Sequence, residues 1–151
     1  MTRTYVDTGI LVKLYSAEVN SAEAVALVAR YAPPLPLTIW QELELRTALR
    51  VRLFRKEITC SALDDALERV NEDLNEGRWE RPAVDLPEVH RRAERLSAEY
   101  AAEIGCRTLD TLHVAAALTV NVRDLVTFDR RQQTLGKRVG LNVLPNLNGQ
   151  R

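Results

Sequence analysis

A chain of 151 residues that is 46% hydrophobic is long enough to bury a sizeable core, and residues 1–151 are read as one domain. Lys plus Arg and Asp plus Glu number 21 each, which excludes a global field drawing the chain onto nucleic acid or membrane; any such contact rests on local patches. Cys60 and Cys106 form no disulfide framework or metal-ligand spacing, and no apolar run approaches the roughly 18 residues that span a bilayer.

Met1 to Tyr5 leads straight into a strand pattern without the apolar segment of a signal peptide, so the expectation is a soluble, cytoplasmic protein. Thr4–Asp7 reads as a short buried strand, followed by a helix over Gly9–Ser16. Asn20-Ser21-Ala22-Glu23 resembles a capping box opening a helix that runs to about Tyr31. Pro33, Pro34 and Pro36 break the pattern around a second short strand, Leu35–Thr38, and a long helix then covers about Ile39–Phe54. Ser61-Ala62-Leu63-Asp64 looks like another cap, with Leu63, Leu67, Val70 and Leu74 forming one stripe and Gly77 stopping the helix. Pro82–Leu86 is placed as a strand or extended segment. Asp85-Leu86-Pro87-Glu88 starts a helix with the stripe Val89, Ala93, Leu96 and Tyr100, ending at Gly105. Leu109–Thr119 is a buried helix, and Leu125–Phe128 and Leu141–Leu144 are strands. Strands separated by helices predict right-handed crossovers and an α/β fold with a mainly parallel sheet. In such sheets ligands sit outside the carboxyl ends of the strands, where Asp7 and Asp129 fall.

Four carboxylates stand in apolar surroundings: Asp7 after Thr4-Tyr5-Val6, Glu44 in the long helix, Asp110 at the head of the run to Val120, and Asp129 after Leu125–Phe128. Desolvating a carboxylate is expensive, so four converging in one cleft need a cation. Each acid also has a plainer role. Asp7 and Asp129 at strand-to-helix junctions are read equally well as N-caps, and Asp110 as a complement to its helix dipole. Glu44 lacks that option. At 100° per residue it shares a face with Trp40, Leu43, Thr47, Ala48, Val51 and Phe54, whereas Glu42 lies off that face near Arg46. The helix carries a second apolar row, Leu45, Leu49 and Leu53, covered either by the domain's own packing or by another chain. Arg46, Arg50, Arg52, Arg55 and Lys56 form either a solvated face or a guide for a phosphate backbone. His113, three residues after Asp110, is read as a satisfied, partly buried histidine ahead of a metal ligand. His90 sits in a charged run, so a histidine-based zinc site is not expected. Oxygen-only ligands favour Mg²⁺ or Mn²⁺.

These stretches match a family in order. Tyr5-Val-Asp7-Thr-Gly-Ile-Leu-Val resembles the first motif of PIN-domain ribonucleases, in particular the VapC-like toxins of type II toxin–antitoxin systems. Glu44-Leu-Arg-Thr-Ala-Leu resembles the second motif, Arg107-Thr-Leu-Asp110-Thr-Leu-His-Val-Ala-Ala-Ala the third and most specific, and Val126-Thr-Phe-Asp129-Arg-Arg the fourth. Gly140-Leu-Asn-Val fits the closing strand. Gly9 departs from the Ser or Asn often found there, which bears on one water-mediated metal contact. The resemblance implies a three-layer α/β/α fold with a mainly parallel central sheet flanked by helices. It implies an acidic site of Asp7, Glu44, Asp110 and Asp129 binding Mg²⁺ or Mn²⁺, with Asp7 and Asp110 as principal ligands and the other two acting directly or through water. It further implies endonucleolytic cleavage of RNA, a small antitoxin covering the cleft, and a homodimer for which Leu45/Leu49/Leu53 is a candidate interface. Two other readings remain: an RNA-processing nuclease of the same fold without an antitoxin, distinguished by the absence of a DNA-binding protein encoded next door, and a non-catalytic RNA- or protein-binding relative. Retention of all four mutually repelling acids argues against the last.

Overall fold

The computed structural model describes residues 3–146. In chain order the elements are β1 (Thr4–Val6), α1 (Thr8–Tyr15), α2 (Ser21–Val28), β2 (Leu35–Pro36), α3 (Ile39–Phe54), α4 (Cys60–Asn75), β3 (Trp79–Glu80), α5 (Leu86–Ile104), α6 (Thr108–Thr119), β4 (Asp124–Val126), α7 (Arg130–Arg138) and β5 (Asn142–Leu144). Three strands form a parallel sheet in the order β1-β4-β5, and β2 and β3 form a second parallel pair. The sheet separates two cores because successive strand residues point to opposite faces. Tyr5 and Leu125 enter a cluster with residues of α5, α6 and α7, while Val6 and Val126 enter one built on α1 to α4. Helices therefore cover both faces of a parallel α/β sheet. Among the described residues, no helix is long and apolar enough to cross a membrane.

Local chemistry explains most boundaries. Thr38 accepts from the backbone N–H of Gln41 while the Gln41 side chain accepts from the Thr38 N–H, a reciprocal cap that fixes the start of α3. Asp85 accepts from the Glu88 N–H with Pro87 in the first turn, and α5 ends at Gly105 in the left-handed region that favours glycine.

Several expectations are corrected. The extended segment placed at Pro82–Leu86 is not a strand; the pairing lies earlier, where the Leu35 and Leu37 N–H groups donate to the Arg78 and Glu80 carbonyls. Asn20 makes no side-chain cap: its backbone is left-handed, and Ser21 Oγ turns back to accept from the Glu18 N–H. The cap of α4 is Thr59 rather than Ser61. Helix α7 has no counterpart in the sequence reading, because Leu135 is its one large apolar residue, and its inner face is completed by buried Gln132, Gln133 and Gly136.

The most consequential correction is the phase of α3. Gln41, Leu45 and Leu49 are fully buried in the domain's own core, with Leu53 packed against it. The row offered as a dimer interface is thus consumed within the chain. The face holding Glu44 is instead the outer one, with Leu43 64% and Phe54 86% exposed. Periodicity could not choose between two apolar sides; the three leucines win because, one turn apart, they pack into the core that α3 shares with α1 and α4. Leu49→Ala is therefore expected to cost about 2–5 kcal/mol in chemical denaturation and Phe54→Ala less than about 0.5 kcal/mol. Comparable losses at both positions would contradict this phase.

Candidate functional site

Asp7 leaves β1 and its carbonyl accepts from the Ile10 and Leu11 N–H groups as α1 begins. Its side chain makes no helix-cap bond. At 7% exposure the carboxylate accepts from Thr127 Oγ1 at 3.2 Å and from Gln132 Nε2 at 3.1 Å. Burial raises its pKa; the His113 charge and those two hydrogen bonds pull the other way, and Asp129 adds to the rise. Asp129, by contrast, is a working N-cap, accepting from the Arg131 and Gln132 N–H groups at 2.8 and 3.0 Å. The two aspartates that sequence position alone leaves equivalent are thus doing different things.

Asp110 is 3% exposed and starts α6, its Oδ2 accepting from the Arg107 N–H at 2.8 Å, with Arg107 Nε 3.7 Å away. Glu44 is part-buried: Oε1 lies 3.0 Å from His113 Nε2 and accepts from Thr8 Oγ1 at 3.4 Å. Glu42 is tied away from the cleft by Arg46 and Arg81, which hold its carboxyl below the ordinary range. The buried His113 stands between acids, with Nε2 also 3.7 Å from Asp7 Oδ1 and Nδ1 paired to the Tyr5 hydroxyl at 2.9 Å. Burial disfavours its charge, but Glu44, Asp7 and Asp110 outweigh that and raise its pKa. His113 thereby interacts with three of the four expected acids, and Asp7 interacts with the fourth.

Among the described residues, no three Asp, Glu, His or Cys side chains stand close enough together to hold a metal as placed. The donor chemistry nevertheless suits a hard cation. The acids offer only oxygen, and beside Asp7 the buried Gln132 Oε1 has no hydrogen-bond partner among the described residues. Gly9 contributes space, since a Cβ there would lie 3.1 Å from Asp7 Oδ2. The departure from Ser or Asn therefore leaves that oxygen uncrowded. Thr127, Gln132 and Tyr5 were not legible as site residues: Gln132 lies in a polar run, and Tyr5 reads as strand core.

A cavity of about 680 Å³ opens beside Glu44, lined by Thr8, Gly9, Lys13, Arg52 and Arg55 among others. Of the basic residues flagged on and after α3, Arg46 is committed to Glu42, and Arg52 to Glu18 and Glu57. Arg50, Arg55 and Lys56 are exposed.

The PIN domain family model matches residues 4–138. The chain belongs to the PIN domain family. None of the curated proteins matches it. Among solved structures it is similar to a chain of a toxin–antitoxin complex from Klebsiella pneumoniae, at 17% identity and a TM-score of 0.58, covering 85% of this chain and 87% of that one. At that identity the likeness speaks to the fold, a PIN architecture of parallel sheet and flanking helices.

The cap made by Asp110 and its expected metal role separate by substitution. Asp110→Asn keeps an oxygen for the Arg107 N–H and is expected to melt near wild type in EDTA, whereas Asp110→Ala loses about 1 kcal/mol. Both are expected to lose most stabilisation by Mg²⁺; thermal melts with EDTA and with Mg²⁺ check both points.

Proposed function

We propose that residues 1–151 form one nuclease domain, a Mg²⁺- or Mn²⁺-dependent endoribonuclease that acts as the toxin of a toxin–antitoxin pair. The observation that carries this reading is Asp7: a nearly buried carboxylate at the carboxyl end of a parallel strand, not spent on capping its helix, electrostatically linked to Asp129 and to the histidine that touches Glu44. PIN nucleases generally use divalent metals, and the family match supplies the reaction class.

Asp7 and Asp110 would be the principal ligands, with Glu44 and Asp129 completing the set directly or through water. The bound cation would polarise the scissile phosphodiester and lower the pKa of a coordinated water. The chain's own residues do the rest. Thr127 and Gln132 fix the Asp7 oxygens, and Thr8 and His113 fix Glu44. Arg55 on the wall of the cavity beside Glu44 would meet the RNA backbone, since Lys13 and Arg52 there are paired with Glu18 and Glu57 on the same wall.

A small antitoxin covers the cleft over exposed Leu43, by analogy with the complex in which the similar chain was solved. A homodimer forms over the exposed Ile39 and Leu109 on the far side of a smaller apolar cavity of about 350 Å³, whose other wall is the Leu43 and Glu44 that the antitoxin covers. This face replaces the leucine row now assigned to the core. The setting is the cytoplasm.

Cleavage of RNA is expected to vanish in EDTA and return with Mg²⁺ or Mn²⁺; undiminished cleavage in EDTA would sink the metal mechanism. Glu44→Gln should lower the rate about 10- to 100-fold or more, while Glu42→Gln, which loosens only the pairs to Arg46 and Arg81, should stay within a few fold. Equal effects in a gel-based cleavage assay would remove Glu44 from the site.

A further inference from the structure

His113 is not among the four acids, yet it stands between two of them. Its Nε2 lies 3.0 Å from Glu44 Oε1 and 3.7 Å from Asp7 Oδ1, while its Nδ1 lies 2.9 Å from the Tyr5 hydroxyl. Tyr5 is fully buried in β1, two residues before Asp7, and its ring meets the imidazole edge-on at a centroid distance of 5.8 Å. His113 is on α6, three residues and nearly one turn beyond Asp110. The chain Tyr5–His113–Glu44 thus ties together β1, α6 and α3, the three elements that supply Asp7, Asp110 and Glu44.

The hydrogen-bond logic is directional. Ionised Glu44 and Asp7 only accept, so Nε2 must carry the hydrogen. The Tyr5 hydroxyl can donate to a bare Nδ1 or accept from a protonated one. Either way Nε2 keeps its hydrogen, and the hold on Glu44 survives in both states of the ring. The tautomer that would lose it, hydrogen on Nδ1 alone, would set Nε2 lone pair against carboxylate. Glu44 needs such a hold because it lies on the outer face of α3, where its side chain's hydrogen bond among the described residues is the long one from Thr8. A glutamate left to its own rotamers there would spend its time in solvent.

We propose that His113, oriented by Tyr5, is the positioning residue that keeps the Glu44 carboxylate turned toward Asp7, so that the acids can act on one cation. The proposal rests on the nuclease reading. Orienting partners of this kind are worth about 10–100-fold in metal affinity or activity. Core filling alone makes a different forecast: a hydrophobic replacement of similar size would change stability and nothing else.

The test uses the full chain as wild type, His113→Leu, His113→Gln and Tyr5→Phe. Two readouts are taken: the Mg²⁺ concentration giving half the maximal rise in melting temperature, and kcat and KM on a short RNA. His113→Leu is expected to need about 10-fold or more Mg²⁺ and to lose about 10–100-fold in kcat with KM within about two-fold. His113→Gln offers an N–H near the Nε2 position and should recover most of both. Tyr5→Phe removes one oxygen from an otherwise intact core, so it carries the test should His113→Leu fail to fold; it should shift both readouts in the same direction. In the metal-free wild type, long-range ¹H–¹⁵N spectra should find hydrogen on Nε2. Wild-type Mg²⁺ response and kcat in both His113→Leu and Tyr5→Phe, or a neutral ring protonated on Nδ1 alone, would overturn the positioning role while leaving the nuclease reading intact. A wild type with neither Mg²⁺ response nor cleavage would overturn the nuclease reading, and this proposal with it.

Discussion

A carboxylate leaves water only when something replaces the lost solvation, and Asp7 is placed where that demand is greatest. It sits at the end of β1, between two hydrophobic cores, and its side chain makes no capping bond to the helix it precedes. What replaces solvent is assembled from distant parts of the chain. Thr127 arrives on the segment after β4 and Gln132 on α7, and His113 reaches in from α6. Parallel pairing of β1 with β4 brings these groups together: the Asp7 N–H donates to the Val126 carbonyl, which fixes the two strand ends side by side. The architecture exists, in this sense, to make one buried acid tolerable and to keep others near it.

The same demand explains how the four acids divide their labour. Asp129 and Asp110 are anchored by backbone N–H groups at helix starts, a cheap and rigid way to hold a carboxylate in place. Asp7 is anchored by side chains, and Glu44 by a histidine and a threonine. A capping role therefore does not exclude a carboxylate from holding a cation. A cap fixes one oxygen and leaves the carboxylate's remaining lone pairs for a second partner. The orphaned Gln132 Oε1, next to Asp7, marks where the polar accounting of the described residues stays open.

Much of the fold was legible because local signals agreed with tertiary ones. The bounds of α3, the Asp85 cap, the Gly105 stop and the stripe of α4 all follow from spacing and capping chemistry. The failures share a cause, which is that sequence periodicity records how apolar a face is and not what lies opposite it. Helix α3 is apolar on two sides, so its spacing could not show that Leu45 and Leu49 belong to the core while Leu43 and Phe54 stay outside. Helix α7 is too polar to register, because buried glutamines rather than aliphatic residues complete its inner face: Gln133 Nε2 donates to the Thr127 carbonyl and Gln132 to Asp7. Of the site, the acids stood out as charges in apolar runs. Their supports did not, since a threonine, a glutamine and a strand tyrosine look the same whether or not a carboxylate lies beside them.

The central claim is that these acids form one divalent-cation site, and paramagnetic relaxation by Mn²⁺ tests it most directly. In ¹H–¹⁵N spectra of the full chain, substoichiometric Mn²⁺ should broaden first the amides around Asp7, Glu44, Asp110 and Asp129, and excess Mg²⁺ should restore them. Broadening centred on another acidic patch, such as Asp73 and Glu76 near Arg78, or spread evenly over surface carboxylates, would contradict the account.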